Sequence, residues 1–106
     1  VNAAEAPKGD ARTAGESERG WTFLTNHGHV LLCVSLSEPM TARELSLRVG
    51  ITERSVQAIL ADLTGEGYLL KSKSGRRNVY TLNPDGRLRH PLEAGHTVGE
   101  LIEALS

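Results

Sequence analysis

The apolar positions of this chain fall into helical groupings and one alternating stretch, separated by polar, proline or glycine breaks. From Asn26 the run His27-Gly28-His29-Val30-Leu31-Leu32-Cys33-Val34-Ser35-Leu36 is dense in aliphatic side chains. It predicts a central buried helix with Asn26 as N-cap, ended by Glu38-Pro39. Just before it, Trp21-Thr22-Phe23-Leu24-Thr25 is the first segment able to enter a core, as a short extended run or as the lead-in to the helix. Thr41-Ala42-Arg43-Glu44 then has the form of a capping box, and Met40 and Leu45 stand where a hydrophobic staple would fix the chain's entry. Leu45 and Val49 mark an inward edge, and Gly50 supplies a left-handed stop, so a short helix is expected over Ala42 to Val49.

Only Ile51 and Thr52 separate this helix from the next. Thr52 is its expected cap, and Ile51 with Val56 repeats the staple. Val56, Ile59, Leu60 and Leu63 recur at the spacing of one helical stripe, which puts Arg54, Ala58 and Ala61 on the opposite face, flanked by Ser55 and Gln57. Gly65 and Gly67 end the pattern. Tyr68-Leu69-Leu70 and Val79-Tyr80-Thr81-Leu82 read as two strands around the polar tip Lys71-Ser72-Lys73-Ser74-Gly75-Arg76-Arg77, and Asn83-Pro84-Asp85-Gly86 reads as a turn. Val98, Leu101, Ile102 and Leu105 give a last amphipathic helix. Two helices joined by a tight glycine-containing turn, the second followed by a basic hairpin, predict a mainly α fold with a small β-hairpin: an α+β winged helix-turn-helix.

Composition changes this picture in two ways. The chain has 106 residues, enough for one modest core. Residues 1–20 hold no large apolar side chain beyond Val1, which predicts a flexible tail. The winged domain is then expected over 21–89, and 90–106 as a C-terminal helix serving intramolecular packing or dimerisation. The overall charge of −1 conceals an uneven distribution. Residues 41–89 carry nine basic side chains against five acidic ones, whereas 90–106 carry three acids and no Lys or Arg. Positive charge gathered in the middle of the chain is the pattern of a face that meets a polyanion. No run of residues approaches a membrane span, no secretory signal is visible, and the lone Cys33 excludes an internal disulfide framework, so a cytoplasmic setting is expected.

One motif set resembles a known family. Glu44-Leu45, Val49-Gly50-Ile51-Thr52, Val56, Leu60 and Leu63, at their spacing, resemble the helix-turn-helix of bacterial ArsR-type and MarR-type repressors. Glu66-Gly67-Tyr68-Leu69, Gly75-Arg76 and Tyr80-Thr81-Leu82 resemble the ArsR-type wing more than the MarR-type one, which usually carries an Asp-x-Arg pair absent between Lys71 and Asn83. The resemblance covers about residues 26–82. It implies a transcriptional regulator, in most cases a repressor, acting as a homodimer on near-palindromic double-stranded DNA. Where metal-sensing ArsR-type proteins carry two cysteines, this chain has Thr41 and Arg43.

The residues themselves point the same way. The expected outer face around Thr52, Arg54, Ser55 and Gln57 can donate to or accept from base edges, Arg to guanine and Gln to adenine, while Ala58 lets the helix axis approach a groove. Arg76 or Arg77 is the candidate minor-groove side chain, because a narrow groove concentrates negative potential. Lys71 and Lys73 suit phosphates, and Thr41 and Arg43 complete the candidate DNA-facing set. Against a metal centre, His29/Cys33 and His96/Glu100 each supply half a ligand set, and His27 and His90 complete neither, so neither metal nor cofactor is expected. Against an enzyme, the chain has no nucleophile elbow, phosphate loop or acid pair, and Gly86, Gly95 and Gly99 are too scattered for a glycine-rich cradle. Two alternatives stand beside the DNA-binding regulator. One is a winged helix used as a protein-interaction module. The other is a sensor with a metal or small-molecule effector site at a dimer interface.

Overall fold

In the computed structural model, which describes residues 20–106, the chain order is α1 (Asn26–Leu36), α2 (Ala42–Val49), α3 (Glu53–Gly65), β1 (Leu69–Ser74), β2 (Arg77–Leu82) and α4 (Val98–Leu105). Among the described residues the architecture is α+β, four helices with one two-stranded antiparallel hairpin. The tail expected over residues 1–20 lies, apart from Gly20, outside the described residues. No helix among the described residues is long and apolar enough to cross a membrane.

The α2–α3 pair follows from local chemistry. The Thr41 hydroxyl accepts from the Glu44 amide at 3.1 Å, and the Glu44 carboxylate accepts from the Thr41 amide at 2.8 Å, so both arms of the capping box are made. Leu45 is 2% exposed and Met40 packs against the same cluster. Gly50 then takes φ +88°, a left-handed conformation that a Cβ would strain, and its amide returns to the Ser46 carbonyl at 2.8 Å. Two residues later Thr52 caps α3 through the Ser55 amide at 3.0 Å. The turn between the helices is therefore closed at both ends by hydrogen bonds, which fixes the angle at which α3 leaves α2.

Along α3 the whole expected stripe is buried: Val56, Ile59, Leu60 and Leu63. Each such side chain removed from water contributes roughly 1.5–3 kcal/mol, which makes α3 the principal packing element. It lies against α1, α2 and β1. Leu69 of β1 and Val98 and Ile102 of α4 close the same cluster, so the C-terminal helix packs on its own chain. The Asn83–Gly86 turn is made, with the Gly86 amide on the Asn83 carbonyl at 3.1 Å, and the Gly99 amide docks on Pro84 O at 3.1 Å.

Four expectations about the flanks need correction. The cap of α1 is Thr25, whose hydroxyl accepts from Gly28, while Asn26 is already helical and its side-chain oxygen lies 3.3 Å from His29 Nδ1. Two adjacent residues could each have capped, and the packing of Leu24 against Gly28 accompanies the earlier one. The helix stops at Leu36 rather than at Glu38-Pro39: Ser37 is already extended, and the proline disfavours helical geometry only at Glu38 beyond it. Within α1 only Val30 and Leu31 are fully buried, and Leu36 is exposed. Trp21 and Phe23 do not enter the core: their rings meet edge to face, centroids 5.4 Å apart, and Phe23 is 94% exposed.

Two outcomes test this packing. In urea denaturation Leu45→Ala should cost about 2–5 kcal/mol, whereas Leu47→Ala, two positions along the same helix but exposed, should stay within about 0.5 kcal/mol. Equal costs would place α2 in another orientation. The second concerns α4, whose capping box joins Thr97 and Glu100. The Thr97 amide, donating at 2.8 Å, holds the Glu100 carboxyl below the usual carboxylate range, with a slight opposition from burial and help from His96 at 3.2 Å. A lowered folded pKa contributes stability that is present above the unfolded carboxylate value and is lost as pH falls through the folded one. Glu100→Gln keeps the reciprocal bond without titrating, so its melting temperature should fall less steeply with acid. Identical acid limbs for the two proteins would remove this box from the account.

Candidate nucleic-acid interface

The face of α3 opposite its buried stripe is open: Arg54, Ser55, Gln57, Ala58 and Ala61 are all exposed. Thr52 and Thr41 are partly committed elsewhere, since both hydroxyls accept helix N-terminal amides, and Thr52 also donates to Ser55 Oγ at 3.0 Å. Arg43 reaches across the turn to Glu53, Nη1 to Oε2 3.9 Å. Arg54 and Gln57, three positions apart on one helix face, retain free donors.

The hairpin is longer and tighter than its apolar positions alone suggest. Ser74 pairs with Arg77, leaving Gly75-Arg76 as a two-residue tip, and Gly75 adopts φ +66°. Such a tip demands a residue tolerant of positive φ, which is why glycine stands there. The register opposes Lys71 to Tyr80 and Lys73 to Asn78. Alternation then puts both lysines on the hairpin face that carries Leu69 and Leu82, with Arg77 starting from the other face and Arg76 at the apex. The two arginines that the sequence leaves equivalent are therefore in different places.

Between α3 and the hairpin lies a cleft of about 190 Å³. Thr41, Gln57, Arg77, Asn78 and Tyr80 bring polar groups to it. It joins the start of α2, the middle of α3 and the outgoing strand, so Gln57 and Arg77 share one concavity. Asn78 and Tyr80 are the members that sequence reasoning missed. The Gly75-Arg76 tip was the signal that could have found them, because it fixes which strand residues oppose the lysines.

Electrostatics sharpen the contrast between this region and the rest. Among the described residues Arg43 pairs with Glu53 and Arg89 with Glu66, at 3.9 and 3.4 Å, whereas Arg54, Lys71, Lys73, Arg76 and Arg77, like Arg48 and Arg87 elsewhere, have no carboxylate within ion-pair distance. The metal candidates are dispersed. His27 Nε2 contacts Asp62 at 2.8 Å, linking α1 to α3, and the Leu92 amide donates to His90 Nδ1. Burial raises the Cys33 pKa, with Arg48 opposing. Among the described residues no three His, Cys, Asp or Glu side chains are grouped to hold an ion. The chain matches no family model, and no curated protein or solved structure matches it.

Proposed function

We propose that the chain is a winged helix-turn-helix protein that binds double-stranded DNA sequence-specifically, a regulator of the ArsR/MarR type that acts as a homodimer. α3 is the recognition helix in the major groove, and the hairpin is the wing at the adjacent minor groove. The observation that carries this reading is the juxtaposition at the cleft. There the exposed face of α3 meets a hairpin whose four cations, among the described residues, are neutralised by no acid. A solvated loop gains nothing from that arrangement, whereas a polyanion does. Arg54 reads a base edge from the first turn of the helix, and Arg76 enters the narrow groove from the hairpin apex. Action is stoichiometric: an occupied site excludes or recruits other proteins, and no bond is made or broken.

Homodimerisation draws support from α1. Its second half is almost wholly apolar, yet Leu36 is exposed and Leu32 and Cys33 are only partly buried, and the exposed Trp21–Phe23 pair precedes its N-terminus. A twofold partner on this side would cover these apolar side chains.

Duplexes selected from a random pool provide the test. Arg54→Ala should cost about 1–3 kcal/mol on the selected site and relax preference at one base pair in each half-site. Equal losses on selected and random duplexes would make Arg54 a backbone anchor, and unchanged binding of both would remove α3 from the interface. Arg76→Ala should instead weaken both duplexes alike and flatten the log affinity–log salt slope by about one unit, with circular dichroism unchanged. An unaltered slope would detach the wing from DNA.

A further inference from the structure

Hydroxyl groups in this chain are mostly engaged. Those at the helix starts accept backbone amides, and others, such as those of Ser46 and Thr64, donate to carbonyls. Among the described residues, the exposed Ser and Thr hydroxyls that make no hydrogen bond are those of Ser72, Ser74 and Thr81. The ladder puts all three on one face of the hairpin. It opposes Leu70 to Thr81, Ser72 to Val79 and Ser74 to Arg77, and alternate positions of a strand share a side. Lys71, Lys73, Asn78 and Tyr80 take the other face. Thr81 and Ser72 thus stand against aliphatic side chains, and Ser74 stands against a cation. Directly opposed Cβ atoms lie roughly 5 Å apart, so a group longer than a hydroxyl on Ser74 meets the Arg77 side chain. Arg77 has no carboxylate within ion-pair distance among the described residues. Its ladder partner is a neutral hydroxyl in the place where an acid would pair with it. Ser74 is also the last paired residue before the Gly75-Arg76 tip, in a stretch where every residue from Leu70 to Asn78 is exposed.

We propose that Ser74 is a phosphoryl-acceptor site, and that the attached phosphate is held by Arg77 across the ladder and switches the wing off. The switching rests on the DNA reading above; the capture does not. The co-reactants are a nucleoside triphosphate and a protein kinase. A bond from the terminal phosphorus to Ser74 Oγ forms, the bond to the departing nucleoside diphosphate breaks, and the hydroxyl proton passes to a base of the kinase. Lys71, Lys73, Arg76 and Arg77 around the acceptor fit a kinase with an acidic substrate groove, since such enzymes select by charge pattern.

Once attached, the phosphate brings a charge of about −1.5 to −2 and three acceptor oxygens. Arg77 binds it through charge-assisted hydrogen bonds. A phosphate on Ser72 or Thr81 faces an aliphatic partner and gains no such bond. The four positive charges of the tip fall to about two, and the attached phosphate repels those of a duplex. One guanidinium therefore serves an external phosphate or an internal one, not both.

The test uses the whole chain with Ser74 phosphorylated during synthesis. Phosphorus-31 NMR follows the second ionisation of the phosphate, ordinarily at about 6. A paired guanidinium favours the doubly charged form, so the group should titrate below that value. Arg77→Gln should return it toward about 6, and Arg76→Gln, at the apex, should move it much less. Equal responses to the two substitutions, or none, would overturn the capture, whatever the chain binds. On duplexes the phosphorylated chain should bind selected and random DNA alike about tenfold more weakly, with a log affinity–log salt slope flatter by about one to two units. Ser74→Ala should bind as the unmodified chain does. Unchanged affinity on phosphorylation, where Arg54→Ala still weakens the selected site, would overturn the switch and leave the DNA reading intact. Absence of duplex binding by either form would overturn the DNA reading and the switch together, while the titration still decides the capture. Mass spectrometry of the chain recovered from the cells that make it should place a phosphoryl group on Ser74. One found on Ser72 or Thr81 instead, or none at any stage of growth, would overturn the site.

Discussion

Burial of a single stripe on α3 is the constraint on which the rest of the structure depends. Val56, Ile59, Leu60 and Leu63 serve α1, α2 and β1 at once, and Leu69, Val98 and Ile102 close the same cluster. With only four aromatic residues in the chain, aliphatic packing of this kind has to supply most of the driving force. Because a helix has one stripe to give, its opposite face is left exposed, and the helix cannot roll without exposing one of these four to water. The fixed position of α3 and the exposure of its outer face are two consequences of one packing arrangement.

The α2–α3 turn converts that packing into a fixed direction. Its caps are cheap individually, about 1 kcal/mol each, but they act at consecutive helix ends. Thr41 and Thr52 satisfy the amides at the two starts, and Gly50 closes the end between them. A glycine at φ +88° lets the chain turn within a few residues, so α3 starts close to the end of α2. The cleft lies where the start of α2, the middle of α3 and the second strand meet.

What was legible in the sequence was whatever is local. Capping boxes, staples and the i, i+3, i+4, i+7 stripe involve residues within two turns of each other, and α2, the start of α3 and its buried face stand where those patterns put them. Where the reading failed, the deciding partner was distant or absent. Trp21 and Phe23 are apolar, but nothing in the described chain folds over them. The apolar run of α1 said that it would be buried without saying by what, and its own chain covers only part of it. Thr25 and Asn26 were equally good caps until the packing of Leu24 on Gly28 accompanied the earlier choice. The cleft brings together positions 41, 57 and 77–80, which no periodicity connects. Arg76 and Arg77 are neighbours in sequence and look interchangeable, yet a two-residue tip assigns one to the apex and the other to the first ladder pair.

The placement of Glu53 shows how an acid can belong on a face proposed to meet DNA. It occupies the first turn of α3, where a negative side chain is stabilised by the helix macrodipole. Left alone it would repel phosphates beside Arg54. Arg43, reaching from α2, stands 3.9 Å from it, so the two charges largely cancel at the mouth of the turn. The pair is exposed on both sides and contributes only about 0–1 kcal/mol, so it locks neither side chain. A phosphate arriving at the start of α3 could draw Arg43 away at little cost, and Glu53 would stay in the first turn, where the macrodipole favours it. Under the proposed DNA reading, Arg43 screens Glu53 in the free protein and turns to a phosphate on the duplex, while Arg54, without a carboxylate partner, is the side chain left to read sequence.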